Sequence, residues 1–267
     1  MRRPSLDAAE LSGLAPDLAV EVVESVPSTN AVATERAREG APEGTVVVAE
    51  HQTAGRGRLD RTWEAPPRSS LVFSVLLRPT VPATSWPWLP LLTGHTVAKT
   101  LRSRGYAAAA VKWPNDVLLG ERKVAGILVE RVDTPDGPAA VVGIGLNVSQ
   151  RPEEIPVPTG TSLALESGEE PDRTALLVAL LTGLREAYDA WQAGGADGVA
   201  RLRSSYAAAC VTVGQQVRVE LPSGETLQGR ATGVDGAGRL VVLGPAGERV
   251  VGAGDVVHVR PTSDSDQ

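Results

Sequence analysis

The chain has 267 residues, 42% hydrophobic and 22% charged, the balance of an ordinary folded protein with one large or two modest domains. A net charge of −6 argues against a general nucleic-acid binder and fits a small basic patch meeting a compact anionic ligand. Cys210 is the only cysteine, and His51, His95 and His258 lie far apart, so an internal disulfide and a cysteine metal cage are excluded and no metal ligated by a protein motif is expected.

Asp7, Glu10 and Asp17 interrupt any signal-peptide core, and no apolar run reaches the ~18 residues a membrane span needs. The expected location is cytoplasmic, with no membrane partner. Residues 1–20 read as a short N-terminal extension.

“VEVVESV” (20–26) alternates as a strand, and Pro27 breaks it. Ser28 then stands where it can N-cap a helix, “TNAVATERARE”, that stops at Gly40. “TVVVAE” (45–50) is a short buried strand running into the polar loop “HQTAGRGRLDRTW” (51–63). “SLVFSVLLR” (70–78) is another strand, and a proline-rich connector leads to a helix at about 89–103.

The stretches “AAAAVKW”, “VLLG”, “RKVAGILVERV” and “PAAVVGIGLNV” follow as an antiparallel set joined by “PND” and “DTPDG” turns. A Pro/Gly/Glu-rich loop (149–172) precedes an amphipathic helix at 173–191 and a second helix at about 196–209. From Cys210 onward, short strands alternate with glycine turns in the pattern of a small β-barrel of about 50 residues. The fold class expected is therefore α+β: a mixed, mostly antiparallel sheet with helices on one side, then a small barrel. The expected divisions are a domain at 21–209, a barrel at 210–262 and a disordered tail at 263–267.

Several stretches carry chemistry. In “GRGRLDR”, Gly55 and Gly57 hinge a loop that holds Arg56, Arg58 and Arg61, and arginine forks match phosphate or carboxylate oxygens bidentately. The loop lacks the Walker A pattern, and a solvated surface loop is its bland alternative. “VKWPNDVLL” places Lys112, Trp113, Asn115 and Asp116 at a strand end, where ordinary turn chemistry is the competing explanation.

In “RKVAGILVE”, strand alternation places Lys123, Ala125 and Ile127 on one face and Val124 and Gly126 on the other, where Gly126 admits a ligand or backbone. An inward lysine needs an anion to meet it; an edge-strand guard is the alternative. “VVGIGLNV” fails the dinucleotide fingerprint, since Val148 stands at the third glycine position. The chain has three lysines against 23 arginines, so a lysine can mark a place that needs a compact ammonium rather than a planar fork.

“STN” (28–30), “GRGRLDRTW” (55–63), “KWPNDV” (112–117), “KVAGILVE” (123–130) and “GIGLNV” (143–148) resemble, in order and spacing, the biotin–protein ligase family. The final segment looks like that family's SH3-like C-terminal domain, and the match covers roughly 21–260. The resemblance implies a class II synthetase-like biotin/lipoyl ligase fold. It also implies a two-step reaction: biotin and Mg·ATP give biotinyl-5′-AMP, and a lysine of a biotin carboxyl carrier domain then takes the biotin.

On this resemblance Arg56 and Arg58 meet phosphate and carboxylate oxygens, with Gly55 and Gly57 letting the loop fold over them. Lys123 bridges the biotin carboxylate and the α-phosphate. Ser28, Thr29, Asn30 and Gln52 face the ureido group, Trp63 and Trp113 are candidate walls, and Asp116 orients the acceptor lysine. Gly126 and Asn147 complete the expected binding set, and magnesium arrives with ATP.

Only about 20 residues precede the first strand, so a ligase without a DNA-binding domain is expected, as monomer or homodimer. Two other readings are weighed. A lipoate–protein ligase shares the fold but carries an arginine–serine–triple-glycine signature that is absent here. A nucleic-acid-binding module would show salt-sensitive polynucleotide binding.

Overall fold

The computed structural model describes residues 3–14 and 18–259; the expected disordered tail at 263–267 lies outside the described residues. The chain opens with helix α1 (Ala8–Leu14), followed by strand β1 (Ala19–Val23), helix α2 (Thr29–Arg38) and strand β2 (Thr45–Ala49). A small hairpin, β3 (Gly55–Arg56) and β4 (Thr62–Trp63), precedes β5 (Ser70–Leu77) and helix α3 (Trp88–Ser103). Strands β6 (Ala109–Lys112), β7 (Asp116–Leu119), β8 (Arg122–Thr134) and β9 (Gly137–Asn147) come next. Helices α4 (Leu163–Ser167), α5 (Arg173–Ala193) and α6 (Gly195–Ala209) lead to β10 (Gln216–Glu220), β11 (Thr226–Val234), β12 (Leu240–Gly244), β13 (Gly247–Val251) and β14 (Asp255–His258).

Seven strands make the central sheet in the order β1-β2-β5-β9-β8-β7-β6. The β1–β2 pair is parallel and the others are antiparallel, as expected of a mixed, mostly antiparallel sheet. One face is packed by α3 and α5 through Val46, Phe73, Leu92, Leu101, Ile127 and Leu180. The expectation of helices on one side holds for these two and needs correction for α2. Ala33 and Ala37 of α2 bury Val47, Leu76 and Val141 on the opposite face. Strand β2 is buried at all five positions, so its side chains need cover on both faces.

Because α2 is only ten residues long, it covers part of its face and leaves the rest open. Across that open part runs a straight rung of paired residues: Lys112, Asp116, Gly126, Gly145, Val72 and Ala49, one from each of six neighbouring strands. This rung positions the site.

The alternation expected for β8 is overturned at one residue. Val117 pairs with Ala125 but Leu118 pairs with Lys123, so Val124 is an extra residue on β8, a β-bulge. Val124 and Ala125 are both fully buried, and Lys123 is carried round to the same face as Gly126. Period-two reasoning put these two residues on opposite faces because it has no means of detecting an inserted residue.

The last five strands form an antiparallel sheet in the order β13-β12-β11-β10-β14. Two tryptophans tie it to the rest: Trp88 Nε1 donates to Gly236 O at 2.8 Å and Trp113 Nε1 to Gly238 O at 3.1 Å. Helix α1 went unforeseen. At seven residues it is too short for a periodic signal, yet it buries Leu11 completely.

Candidate active site

A cleft of about 420 Å³ opens over the rung, between the α2 N-terminus, the β3–β4 hairpin and β14. Its two ends differ in chemistry. At the α2 end, Ser28, Thr29 and Asn30 are buried where the helix begins. Ser28 stands at the N-cap position, as expected, but its side chain makes no capping bond. Gln52 caps instead: its Oε1 accepts from Thr29 N at 2.7 Å and from Thr29 Oγ1 at 3.1 Å.

Ser74 Oγ lies 2.8 Å from Thr29 Oγ1 and 2.6 Å from Asn30 Oδ1. Asn30 Nδ2 donates to Glu130 Oε2 at 2.7 Å and to Leu128 O at 3.3 Å, which fixes the way the amide points. This end is a preorganised set of hydroxyls and amides, suited to a neutral polar group. Gly143 is required here, since a Cβ would stand 2.9 Å from Asn30 Cγ and closer still to its amide oxygen.

Trp63 lies in the middle. Its ring covers the floor glycines, and a Cβ would stand 3.1 Å from the indole at Gly126 and 2.5 Å at Gly145. The close approach foreseen at Gly126 is therefore made by this indole, and the bulge brings Lys123 beside it. Lys123 Nζ sits 5.8 Å from the Trp63 ring centroid, a cation–π distance. The buried Trp63 Nε1 has no hydrogen-bond partner among the described residues.

The other end is charged. Lys123 Nζ pairs with Asp116 Oδ1 at 2.6 Å. Arg58 Nη1 donates to Asn115 Oδ1 at 3.1 Å and makes no ion pair with a described carboxylate. Burial presses the Arg58 guanidinium below its ordinary pKa, partly offset by Asp116; it remains a cation.

Arg56, expected on the anion, pairs here with Glu130 at 3.0 Å, and Arg61 pairs with Asp255 of β14. The Lys112 side chain lines the cleft with no hydrogen bond or ion pair among the described residues, and the residue pairs with Asp116 across the β6–β7 ladder. Burial lowers its pKa, and Asp116 opposes that.

The hinge role foreseen for the loop glycines is also revised. The left-handed positions are Leu59 (φ 54°) and Asp60 (φ 58°), while Gly55 is needed for packing. A Cβ at Gly55 would stand 2.8 Å from Gln52 Nε2 and run into the Trp63 carbonyl. At Gly57, a Cβ would meet only ordinary contacts with Arg61.

Two further expected residues are held by the fold. Asn147 Nδ2 donates to Thr161 O at 2.9 Å and its Oδ1 accepts from Gln150 at 2.8 Å. Trp113 is 1% exposed, with its N–H already bonded to Gly238 O, so it joins the two sheets.

The fold thus brings Ser28, Thr29, Asn30, Gln52, Arg56, Gly57, Arg58, Trp63, Trp113, Asp116, Lys123, Gly126 and Asn147 to one cleft. Gly55 supports it from beneath the hairpin. Sequence reasoning missed Ser74, Glu130 and Asp255. Ser74 had a readable signal, a lone hydroxyl inside the apolar run “SLVFSVLL”, whereas nothing local marks Asp255.

The chain is similar to known proteins along most of its length. A family model described as Biotin/lipoate A/B protein ligase family matches residues 22–147, and one described as Biotin protein ligase C terminal domain matches 212–259. The chain is 41% identical over 246 residues to a biotin–[acetyl-CoA-carboxylase] ligase of Mycobacterium tuberculosis, covering 90% of this chain and 89% of that protein. It is 34% identical to the enzyme of the same name from Paracoccus denitrificans, covering 86% and 96%. The structure of a biotin protein ligase from Aquifex aeolicus in complex with biotin and ATP is similar with a TM-score of 0.78 and 28% identity, covering 90% of this chain and 98% of that one.

Proposed function

We infer the mechanism from one premise: the chain belongs to the biotin/lipoate A/B protein ligase family and is an ATP-dependent biotin–protein ligase. Its first reaction joins biotin to the nucleotide. A carboxylate oxygen of biotin attacks the α-phosphorus of Mg·ATP, the bond from that phosphorus to the bridging oxygen breaks, and pyrophosphate leaves. In the second reaction an acceptor amine attacks the acyl carbon of biotinyl-5′-AMP, loses a proton and expels AMP. Neither step needs a protein nucleophile; both need positioning and neutralised charge.

The observation that carries the assignment is the polarity of the cleft. The amide–hydroxyl set of Thr29, Asn30 and Ser74 lies at one end and the cations Arg58 and Lys123 at the other. We assign the ureido ring of biotin to the first end, with Ser28 and Gln52 beside it. The carboxylate and α-phosphate go to Lys123 and Arg58, and Asp116 stands where it can hold the acceptor amine. Trp63 walls the middle. Arg56 reaches the anion only by leaving Glu130.

Magnesium enters with ATP, and among the described residues no group of three acidic, histidine or cysteine side chains gathers to hold a resident metal. The catalytic unit we propose spans 21–209, followed by an SH3-like unit at 210–262. No helix among the described residues is long and apolar enough to cross a membrane. A cytoplasmic location, a biotin carboxyl carrier domain as the acceptor and a monomer or homodimer complete the proposal.

Two tests address this reading. Incubated with Mg·ATP and a recombinant biotin carrier domain, the protein is expected to add biotin and not lipoate to a single lysine, read by intact-protein mass. Lipoylation alone would reverse the substrate assignment. Gly143→Ala pushes a methyl group into the Asn30 amide, and the variant is expected to bind biotin at least about 10-fold more weakly, roughly 1.4 kcal/mol, by calorimetry. Unchanged affinity would remove the ureido group from this end.

A further inference from the structure

We propose that Lys112 binds the outgoing pyrophosphate, a role separate from that of Lys123; the proposal rests on the ligase reading above. Lys112, Asp116 and Gly126 are consecutive residues of one rung, on β6, β7 and β8. Adjacent strands lie about 4.8 Å apart, so Lys112 stands about 10 Å along the cleft from the strand that carries Lys123. The biotin end, marked by Asn30 and Ser74, lies in the other direction, toward β9 and β5.

Phosphoryl transfer places the attacking and leaving oxygens on opposite sides of phosphorus. If the carboxylate attacks from the β9 side at Lys123, the β- and γ-phosphates must project toward β7 and β6. The next cation in that direction is Lys112. The bond that breaks is the one between the α-phosphorus and its bridging oxygen; that oxygen keeps the electron pair and leaves as part of pyrophosphate, whose negative charge the Lys112 ammonium meets.

The charges around Lys112 suit this task. Asp116 faces it across the ladder, Lys123 and Arg61 are the cations within its field, and the His258 imidazole is held below its ordinary pKa by burial and by Lys112. Lys123 and Arg61 are both engaged with carboxylates, whereas Lys112 has no ion-pair partner among the described residues. It stands at the end of β6, beside the turn into Asp116, and its ammonium carries three donors on an unbranched stem.

The test is Lys112→Gln in the full chain, assayed by biotin-dependent exchange of labelled pyrophosphate into ATP and by binding of supplied biotinyl-5′-AMP. Exchange is expected to fall about 10- to 100-fold, with affinity for biotinyl-5′-AMP within about twofold of the parent, which also certifies the fold. Lys112→Arg is expected to restore most of the exchange. Unchanged exchange in Lys112→Gln, or an equal loss of exchange and of biotinyl-5′-AMP affinity, would overturn the assignment. Exchange absent from the parent protein would overturn the ligase reading as well, so the two failures are distinguishable.

Discussion

Replacing Lys123 with glutamine is expected to slow biotinyl-5′-AMP formation by about 10²- to 10³-fold, or roughly 3–4 kcal/mol of transition-state stabilisation. The size follows from two losses at one place. The variant removes the ammonium proposed to bridge carboxylate and α-phosphate, where two anions must approach each other. It also frees Asp116, now paired at 2.6 Å, to add its own negative charge to that approach.

The second loss supplies a signature. The double variant Lys123→Gln/Asp116→Asn should be faster in adenylate formation than Lys123→Gln alone, because it removes the uncompensated carboxylate. Single-turnover adenylation measures both. A Lys123→Gln variant within about threefold of the parent would take Lys123 out of the reaction.

The largest effect on stability is expected at Arg173. Its guanidinium and the Glu50 carboxylate are 6% and 2% exposed and lie 2.6 Å apart. Arg173 also donates to Ser70 O at 3.1 Å and to Pro4 O at 2.8 Å, while Glu50 accepts from Leu6 N at 2.5 Å. This one pair therefore joins the start of α5, the end of β2, the start of β5 and the N-terminal segment.

Arg173→Met leaves Glu50 charged, buried and unpaired, and is expected to cost about 3–5 kcal/mol. For a chain of this size that lowers Tm by roughly 10 °C. Converting both partners, Arg173→Met with Glu50→Leu, should recover part of the loss, limited by the orphaned Leu6 N–H. Urea unfolding checks both, and a single-variant loss below about 1 kcal/mol would contradict the account.

Most elements were legible because the local signals are strong. Helix α3 begins at Trp88, one residue before its expected start, and β5 ends one residue short of its expected end at Arg78. Apolar periodicity and proline breaks decide such positions within the segment itself. Motif order singled out Asn30, Arg58, Asp116 and Lys123, which the fold brings to one cleft although 93 positions separate the outermost two.

What escaped depends on long-range geometry. The bulge at Val124 arises from the pairing of β7 with β8, and no residue in “RKVAGILVE” announces it. The partners of Arg56 and Arg61, Glu130 and Asp255, are 74 and 194 positions distant. Gly55, read as a hinge, turned out to be required by packing, since a missing side chain looks the same in sequence whether it frees the backbone or makes room for a neighbouring carbonyl.

The most direct test of the central claim is intact mass spectrometry, under native conditions, of the purified protein after incubation with biotin and Mg·ATP. A retained noncovalent adduct with the mass of biotinyl-5′-AMP, absent when either substrate is withheld, is the result this account predicts. Protein that consumes no ATP and carries no adduct would contradict it.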